Sequence, residues 1–114
     1  MPDAGDVVWL QLGPTVGREQ AGHRPALVLS PVHFNRRSRL MLCVPMTSRA
    51  KGYPFEVRIH SDRAGVALVD QARSVDFDGR GATKKGVASA EELEQVREIL
   101  RALIGRSKRR GSPR

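Results

Sequence analysis

The feature that most constrains the fold is a series of short apolar runs, each ended by glycine, proline or a polar turn. Strand-like runs are predicted at residues 7–12, 26–29, 40–44, 55–59, 65–69, 73–75 and 82–87. Residues 55–59 alternate apolar and charged side chains, which is typical of a strand with one solvated face. Residues 35–38 are predicted to form a polar loop, and the run at 40–44 is expected to end at Pro45. Such short, turn-bounded strands predict a small β-sandwich or β-barrel.

The C-terminal part has a different periodicity. Residues 89–92 read Ser-Ala-Glu-Glu, a capping box that predicts the start of a helix. Apolar residues then recur at three- and four-residue spacing until Gly105: Leu93, Val96, Ile99, Leu100, Leu103 and Ile104. This spacing predicts one amphipathic helix of about ten to fifteen residues that packs on the β body. The fold class is therefore mainly β with α.

The length and charge of the chain indicate one domain with a basic extension. The 114 residues are enough for a single modest core, assigned here to residues 1–105. That body carries 15 basic and 12 acidic side chains, whereas residues 106–114 carry five basic side chains and no acid. The extension is read either as a disordered solubilising tail or as a contact for a polyanion such as RNA, DNA or an acidic protein.

The remaining composition favours a cytoplasmic protein. No apolar run approaches the roughly 18–20 residues of a membrane helix, so no membrane association is expected. The first residues include Asp3 and Asp6 and lack the apolar segment of a secretory signal. Cys43 is the single cysteine, and its apolar neighbours predict a buried structural thiol.

Residues 17–25 concentrate polar chemistry between two predicted strands. Glu19, Gln20, His23 and Arg24 lie in a stretch punctuated by Gly17, Gly22 and Pro25. A guanidinium at Arg24 can bind phosphate through two hydrogen bonds and stabilise a phosphorane, while Glu19 or His23 can exchange protons. Alternatively, Arg24 forms a surface salt bridge with Glu19, and His23 is solvated or structural.

Two further polar groups follow predicted strands. Thr47 and Ser48 offer hydroxyls to a phosphate oxygen, and Lys51 with Arg49 offers positive charge. The alternative is a turn in which the hydroxyls cap backbone groups. Gln71 and Arg73 are expected to share one face by alternation, either as part of a site or as plain sheet surface.

The chemistry best served by these residues is RNA cleavage without a metal. The three histidines are scattered without metal-ligand spacing, so neither a metal site nor a cofactor is predicted. RNA supplies an internal nucleophile, its 2′-hydroxyl, close to each phosphorus. The protein then needs to handle two protons and stabilise the phosphorane, which Glu19 or His23, Arg24 and Thr47 suffice to do.

Five motifs resemble the MazF/PemK family of toxins. They are GDVVW at 5–9, EQAGHRP at 19–25, CVPMT at 43–47, KGYPFEV at 51–57 and GATKKG at 81–86. The resemblance implies an SH3-like β-barrel, shared with gyrase inhibitors of the CcdB kind, that carries a C-terminal helix. It also implies a homodimeric, metal-independent endoribonuclease of single-stranded mRNA, which leaves a 2′,3′-cyclic phosphate and a 5′-hydroxyl and is neutralised by a MazE-like antitoxin.

The resemblance also assigns site residues by position. Arg24 and Thr47 match the catalytic arginine and threonine of the family, and Glu19 matches its loop glutamate. His23, Gln20, Ser48, Lys51 and Gln71 are expected to contact RNA. The chain departs from close relatives at residues 10–13, where these can carry acidic residues. A gyrase-inhibiting barrel and a plain RNA-binding module remain alternatives, although neither would require Glu19, Arg24 and Thr47 together.

Overall fold

A computed structural model describes residues 1–14, 17–20, 22–61 and 65–105. The predicted basic tail, residues 106–114, lies outside the described residues. The helices are α1 (Val32–Ser38) and α2 (Ala90–Ile104), and a 3₁₀ turn spans Val69–Gln71. The strands are β1 (Asp6–Gln11), β2 (His23–Val28), β3 (Met41–Thr47), β4 (Glu56–Ile59), β5 (Gly65–Leu68), β6 (Arg73–Val75) and β7 (Thr83–Val87). The predicted mainly β fold with a C-terminal helix is confirmed.

The strands form one curved sheet in the order β4-β5-β3-β2-β1-β7, and β6 pairs with β3 beside this path. Strand β3 is the centre of the sheet, because its first half pairs with β6 and its second half with β5. The expectation that β3 ends at Pro45 is wrong. Pro45 lies inside β3, between Cys43, the last residue paired with β6, and Met46, the first paired with β5. A residue without an N–H is tolerated at such a change of partner.

The predicted polar loop at residues 35–38 is also wrong, because these residues belong to helix α1. Pro31 precedes the helix in an extended conformation, and Arg39 ends it with a φ of 63°. Asn35 is fully buried: it accepts a hydrogen bond from Ser30 Oγ and donates to the carbonyls of Pro2 and Ser30. One satisfied amide thus anchors α1 to the N-terminal segment and to the turn before the helix, and the distant contact is a tertiary effect that local polarity does not reveal.

Two apolar clusters lie on opposite faces of the sheet. One contains Leu27, Val44 and Ile59 and is covered by α2 through Val96, Leu93, Ile99 and Leu100. The other contains Leu10, Val28 and Cys43. The prediction that Leu103 and Ile104 share the packed face of the helix is wrong, since they are 52% and 73% exposed. They lie in the last turn of α2. In the described part of the chain no helix is long and apolar enough to span a membrane.

The predicted capping box at the start of α2 is confirmed. Ser89 Oγ accepts a hydrogen bond from the Glu92 N–H, and Glu92 Oε1 accepts one from the Ser89 N–H. The second carboxylate oxygen, Oε2, accepts the backbone N–H of His60 and lies 2.8 Å from His60 Nδ1. Burial raises the pKa of Glu92, but the hydrogen bonds from Ser89 and His60 outweigh it and leave the pKa below 4.5. The carboxylate therefore ties α2 to the end of β4.

We expect Glu92→Gln to lower the free energy of unfolding at pH 7 by about 1–2 kcal/mol, because charge-assisted bonds at a helix start are lost. A lowered folded-state pKa means that the carboxylate stabilises the fold above pH 4.5 and loses this contribution as pH falls through the folded-state value. In urea unfolding, the free energy of unfolding should therefore change less between pH 7 and pH 3 in the variant than in the wild type. Glu98→Gln is the control, since Glu98 is an exposed glutamate of α2 without a hydrogen bond or ion pair among the described residues. Equal effects of the two substitutions would contradict this role of Glu92.

Candidate active site

The loop that precedes β2 is closed at its base by two backbone hydrogen bonds. The Leu12 N–H donates to the Gly22 carbonyl at 2.9 Å, and the Gly22 N–H donates to the Gly13 carbonyl at 3.0 Å. Gly22 has a φ of +82°, a conformation that side chains with a Cβ rarely adopt. This closed base brings Glu19 and Gln20 to the end of the sheet beside β1 and β2.

Arg24 and Thr47 lie just beyond the paired residues of β2 and β3, on the same side of the sheet. In that antiparallel pair Ala26 lies opposite Pro45, and Val28 opposite Cys43. Arg24 and Thr47 each lie two residues beyond the Ala26–Pro45 pair, where this pairing ends, so alternation along the strands directs both side chains to the face of the sheet that Ala26 and Pro45 share. Arg24 is half-buried and Thr47 is buried. Residues from two separate predicted loops therefore share one face of the sheet.

Thr47 is held at the end of β3 by tight backbone packing. Its Oγ1 accepts a hydrogen bond from the Arg49 N–H at 3.2 Å, as the turn-capping alternative expects. That bond uses one lone pair and leaves the hydroxyl proton available to donate. A Cβ at Gly65 would lie 2.4 Å from the Thr47 carbonyl oxygen, so only glycine allows β5 to approach β3 this closely.

A cavity of about 400 Å³ lies at the same end of the sheet. It is lined by Leu12, Glu19, Gln20, Pro45, Asp70, Gln71, Ala72 and Arg73. The Gln20 N–H donates to Gln71 Oε1 at 2.9 Å, which joins the first loop to the 3₁₀ turn. Gln20 Oε1 is buried and accepts no hydrogen bond from any described residue. A buried acceptor without a donor is costly, which favours a ligand that brings an N–H or O–H group.

The other predicted contacts lie around this centre. His23 is exposed and its ring centroid is 5.6 Å from that of Trp9. Because side chains alternate along a strand, His23 and Arg24 point to opposite faces of β2. Ser48 and Lys51 are exposed in the loop that follows Thr47. The structure thus groups Glu19, Gln20 and Gln71 at the cavity and leaves His23, Ser48 and Lys51 outside it. Arg24 and Thr47 share one face of the sheet but do not line the cavity.

Two residues add to the site beyond the catalytic residues and RNA contacts that the sequence assigned. Arg73, which the sequence grouped with Gln71 without assigning it a contact, is the cation among the residues that line the cavity, and it lies opposite Cys43 in the β3–β6 pair. The spacing of Gln71 and Arg73 in the sequence was the signal that could have assigned Arg73 to the site. Gly65 carried no signal, because its importance depends on the approach of β5 to β3. Cations from two strands suit the binding of a phosphodiester, and a carboxylate from the loop can accept a proton during its cleavage.

Cys43 takes no part in this chemistry. It is free and fully buried on β3, as predicted for a structural thiol. Burial raises the pKa of its thiol to about 12, and the charges of Arg73 and Arg80 offset the effect only in part. A thiol that stays protonated is a poor nucleophile. Within residues 1–14, 17–20, 22–61 and 65–105, no group of three or more His, Cys, Asp or Glu side chains is arranged to hold a metal ion.

Comparison with known proteins gives a consistent result. Residues 3–104 match the family described as PemK-like, MazF-like toxin of type II toxin-antitoxin system. The chain is 51% identical to the endoribonuclease toxin MazF of Escherichia coli K12 over 106 residues, which cover 92% of this chain and 96% of the relative. It is 34% identical to the Escherichia coli endoribonuclease PemK over 111 residues, covering 91% and 77% of the two chains.

Solved structures agree with this relationship. Crystalline MazF from Deinococcus radiodurans superposes with a TM-score of 0.86 at 48% identity, covering 92% of this chain and 97% of that one. A MazE-MazF structure from the same organism gives a TM-score of 0.79 at 46% identity, covering 93% and 97%. These similarities extend over the whole described sheet and α2.

Proposed function

Because the chain belongs to the MazF-like endoribonuclease toxins of type II toxin–antitoxin systems, we propose that it cleaves single-stranded RNA at the end of the sheet where Arg24 and Thr47 meet. The single observation that supports this proposal is the β2–β3 pairing, which ends at Ala26 and Pro45, two residues before Arg24 and Thr47, with Pro45 in the wall of a cavity of mixed charge. A cation and a hydroxyl donor on one face are suited to two non-bridging oxygens of one phosphate.

Each residue then has a role set by its chemistry. Arg24 neutralises the additional negative charge of the phosphorane, since the planar fork of N–H donors on a guanidinium can bind two phosphoryl oxygens at once. Thr47 donates a hydrogen bond to a phosphoryl oxygen. Glu19 is a loop carboxylate at the cavity and accepts the proton of the attacking 2′-hydroxyl. Attack forms the 2′,3′-cyclic phosphate and breaks the bond to O5′, which leaves as a 5′-hydroxyl with a proton from solvent.

The proposed reaction proceeds without a metal ion or cofactor, because the internal nucleophile requires no metal-bound hydroxide. Gln20 and Gln71 are proposed to read a base at the cavity, where no residue that the structure describes donates a hydrogen bond to Gln20 Oε1. An exocyclic amino group, as on adenine or cytosine, is the complementary group. Arg73 adds positive charge there, and His23, Ser48 and Lys51 contact the RNA strand outside the cavity.

We propose a MazE-like antitoxin as the protein partner. The related MazF of Deinococcus radiodurans has been crystallised with MazE. The present chain has a formal net charge of +8, and an extended acidic peptide would compete with RNA for the same basic surface. We further propose that the protein is a homodimer that acts in the cytoplasm, that residues 1–105 form the nuclease domain, and that residues 106–114 form a separate basic tail.

The proposal is tested by incubating the purified protein with a long single-stranded RNA in excess EDTA. We expect discrete fragments that appear with time, and no fragments from the same RNA annealed to its complement. An uncut single strand at micromolar protein would contradict the endonuclease proposal. Binding without cleavage would favour the plain RNA-binding alternative, and inhibition of DNA gyrase would favour the gyrase-inhibitor alternative.

A further inference from the structure

Two aromatic rings form an exposed, ordered surface next to the proposed site. Tyr53 and Phe55 stack with ring centroids 5.1 Å apart and an interplanar angle of 28°. Phe55 is half-buried, whereas Tyr53 is 49% exposed. The stacked pair, termed here the Tyr53–Phe55 platform, therefore presents a π-surface to solvent. Nothing in the roles proposed above uses it.

The loop that carries the platform is fixed by one carboxylate. Glu56 accepts hydrogen bonds from the backbone N–H groups of Lys51, at 3.1 Å, and Gly52, at 3.0 Å, and its own N–H donates to the Tyr53 carbonyl at 3.1 Å. Gly52 makes the turn possible with a φ of +79°. The rings are thus held in place before a ligand arrives, which reduces the entropy lost on binding.

The platform is also connected to the cavity. The Val69 N–H donates to the Phe55 carbonyl at 3.2 Å, and the next two residues, Asp70 and Gln71, line the cavity. At the other end, the same loop begins directly after Thr47. The exposed side chains of Arg49 and Lys51 add positive charge along it. A strand bound at Arg24 and Thr47 that continues over this loop would meet cations for its phosphates and an aromatic face for a base.

We propose that Tyr53 is a stacking subsite for one unpaired nucleotide that flanks the cleaved bond. The proposal rests on the proposed RNA-cleaving function and adds a contact outside the reacting groups. Aromatic faces hold single-stranded bases in a manner tolerant of sequence, with phosphate contacts supplied by nearby cations. The subsite contributes to binding of the substrate and leaves the chemical step unchanged.

Tyr53→Leu tests the subsite, because leucine keeps an apolar contact on Phe55 and removes the ring. With a single-stranded RNA cut at one position, we expect KM to rise about five- to tenfold while kcat stays within about twofold. Tyr53→Phe should restore the KM of the wild type, since it keeps the π-surface. Phe34→Leu is the matched control: Phe34 is 47% exposed on α1, at the other end of β2 and β3, and its loss should leave KM unchanged.

The stacked nucleotide is identified with an abasic residue placed in turn at each position near the cut. At one position the missing base should raise the KM of the wild type about five- to tenfold, the rise expected for Tyr53→Leu with intact RNA. The KM of Tyr53→Leu should be the same for the abasic and the intact RNA. The stacking subsite would be overturned if Tyr53→Leu left KM for intact RNA unchanged. It would also be overturned if, at every position, the effects of the substitution and of the missing base on KM were additive. Weakened inhibition by an antitoxin with an unchanged KM for RNA would assign the platform to the protein partner and also overturn it. Failure of the wild type to cut RNA would instead refute the proposed function.

Discussion

Arg24→Ala is expected to lower kcat/KM for single-stranded RNA by about 10³-fold. By alternation along β2 and β3 the guanidinium shares one face of the sheet with Thr47, and it would stabilise charge that develops only in the transition state. Loss of one such preorganised donor typically costs about 10²–10³ in kcat, and here a full positive charge is lost as well. Steady-state cleavage of a fluorescent single-site RNA measures the effect.

Arg24→Lys separates charge from geometry in the same assay. An ammonium keeps the positive charge but cannot form two parallel hydrogen bonds, so we expect it to recover only part of the activity. Arg58→Ala is the control, since Arg58 is an exposed arginine of β4. A cleavage rate for Arg24→Ala within tenfold of the wild type, with an intact cooperative unfolding transition, would show that Arg24 is not the principal stabiliser of the phosphorane.

A single 2′-deoxy nucleotide at the cut is expected to abolish cleavage of an otherwise unchanged RNA. The proposed mechanism takes its nucleophile from the substrate, and the deoxy sugar has no hydroxyl to supply. The protein contacts that we propose, from Arg24, Thr47 and the cavity, go to phosphate and base and should survive this change. The modified strand should therefore bind with little loss and act as a competitive inhibitor.

The comparison uses the same RNA with the deoxy nucleotide moved several positions away, which should be cut normally. Continued cleavage at the deoxy position would require an external nucleophile such as water and would contradict the proposed chemistry. Loss of both cleavage and binding would instead indicate that the protein recognises the 2′-hydroxyl itself. The two measurements together distinguish catalysis from recognition.

Much of the fold follows from local patterns in the sequence. The alternation at residues 56–59 and the capping box at residues 89–92 each predict the element that forms, because a strand with one wet face and a helix start are local features. Helix α1 was missed because its anchor, Asn35, is held in part by the carbonyl of Pro2, which lies 33 residues away in the chain. The expectation that β3 ends at Pro45 was wrong because this proline lies where β3 changes its paired strand from β6 to β5, which only the folded sheet shows.

The candidate site, like the fold, could be predicted only in part from the sequence. The sequence indicates the residue types, but the meeting of Arg24 and Thr47 depends on a strand register that only the folded sheet provides. The hydrogen bond between Gln20 and Gln71 joins residues 51 apart in the chain. His23 was expected to act with its neighbour Arg24, yet alternation along β2 directs the two to opposite faces. Adjacent residues of a strand rarely share a site.

The central claim is that this chain cuts RNA through the substrate's own 2′-hydroxyl, and the ends of the products test it most directly. Single-stranded RNA cleaved in excess EDTA should be analysed by mass spectrometry of both fragments. We predict that the upstream fragment carries a 2′,3′-cyclic phosphate and the downstream fragment a 5′-hydroxyl. An upstream 3′-hydroxyl with a downstream 5′-phosphate would contradict the account, because those ends require attack by an external nucleophile.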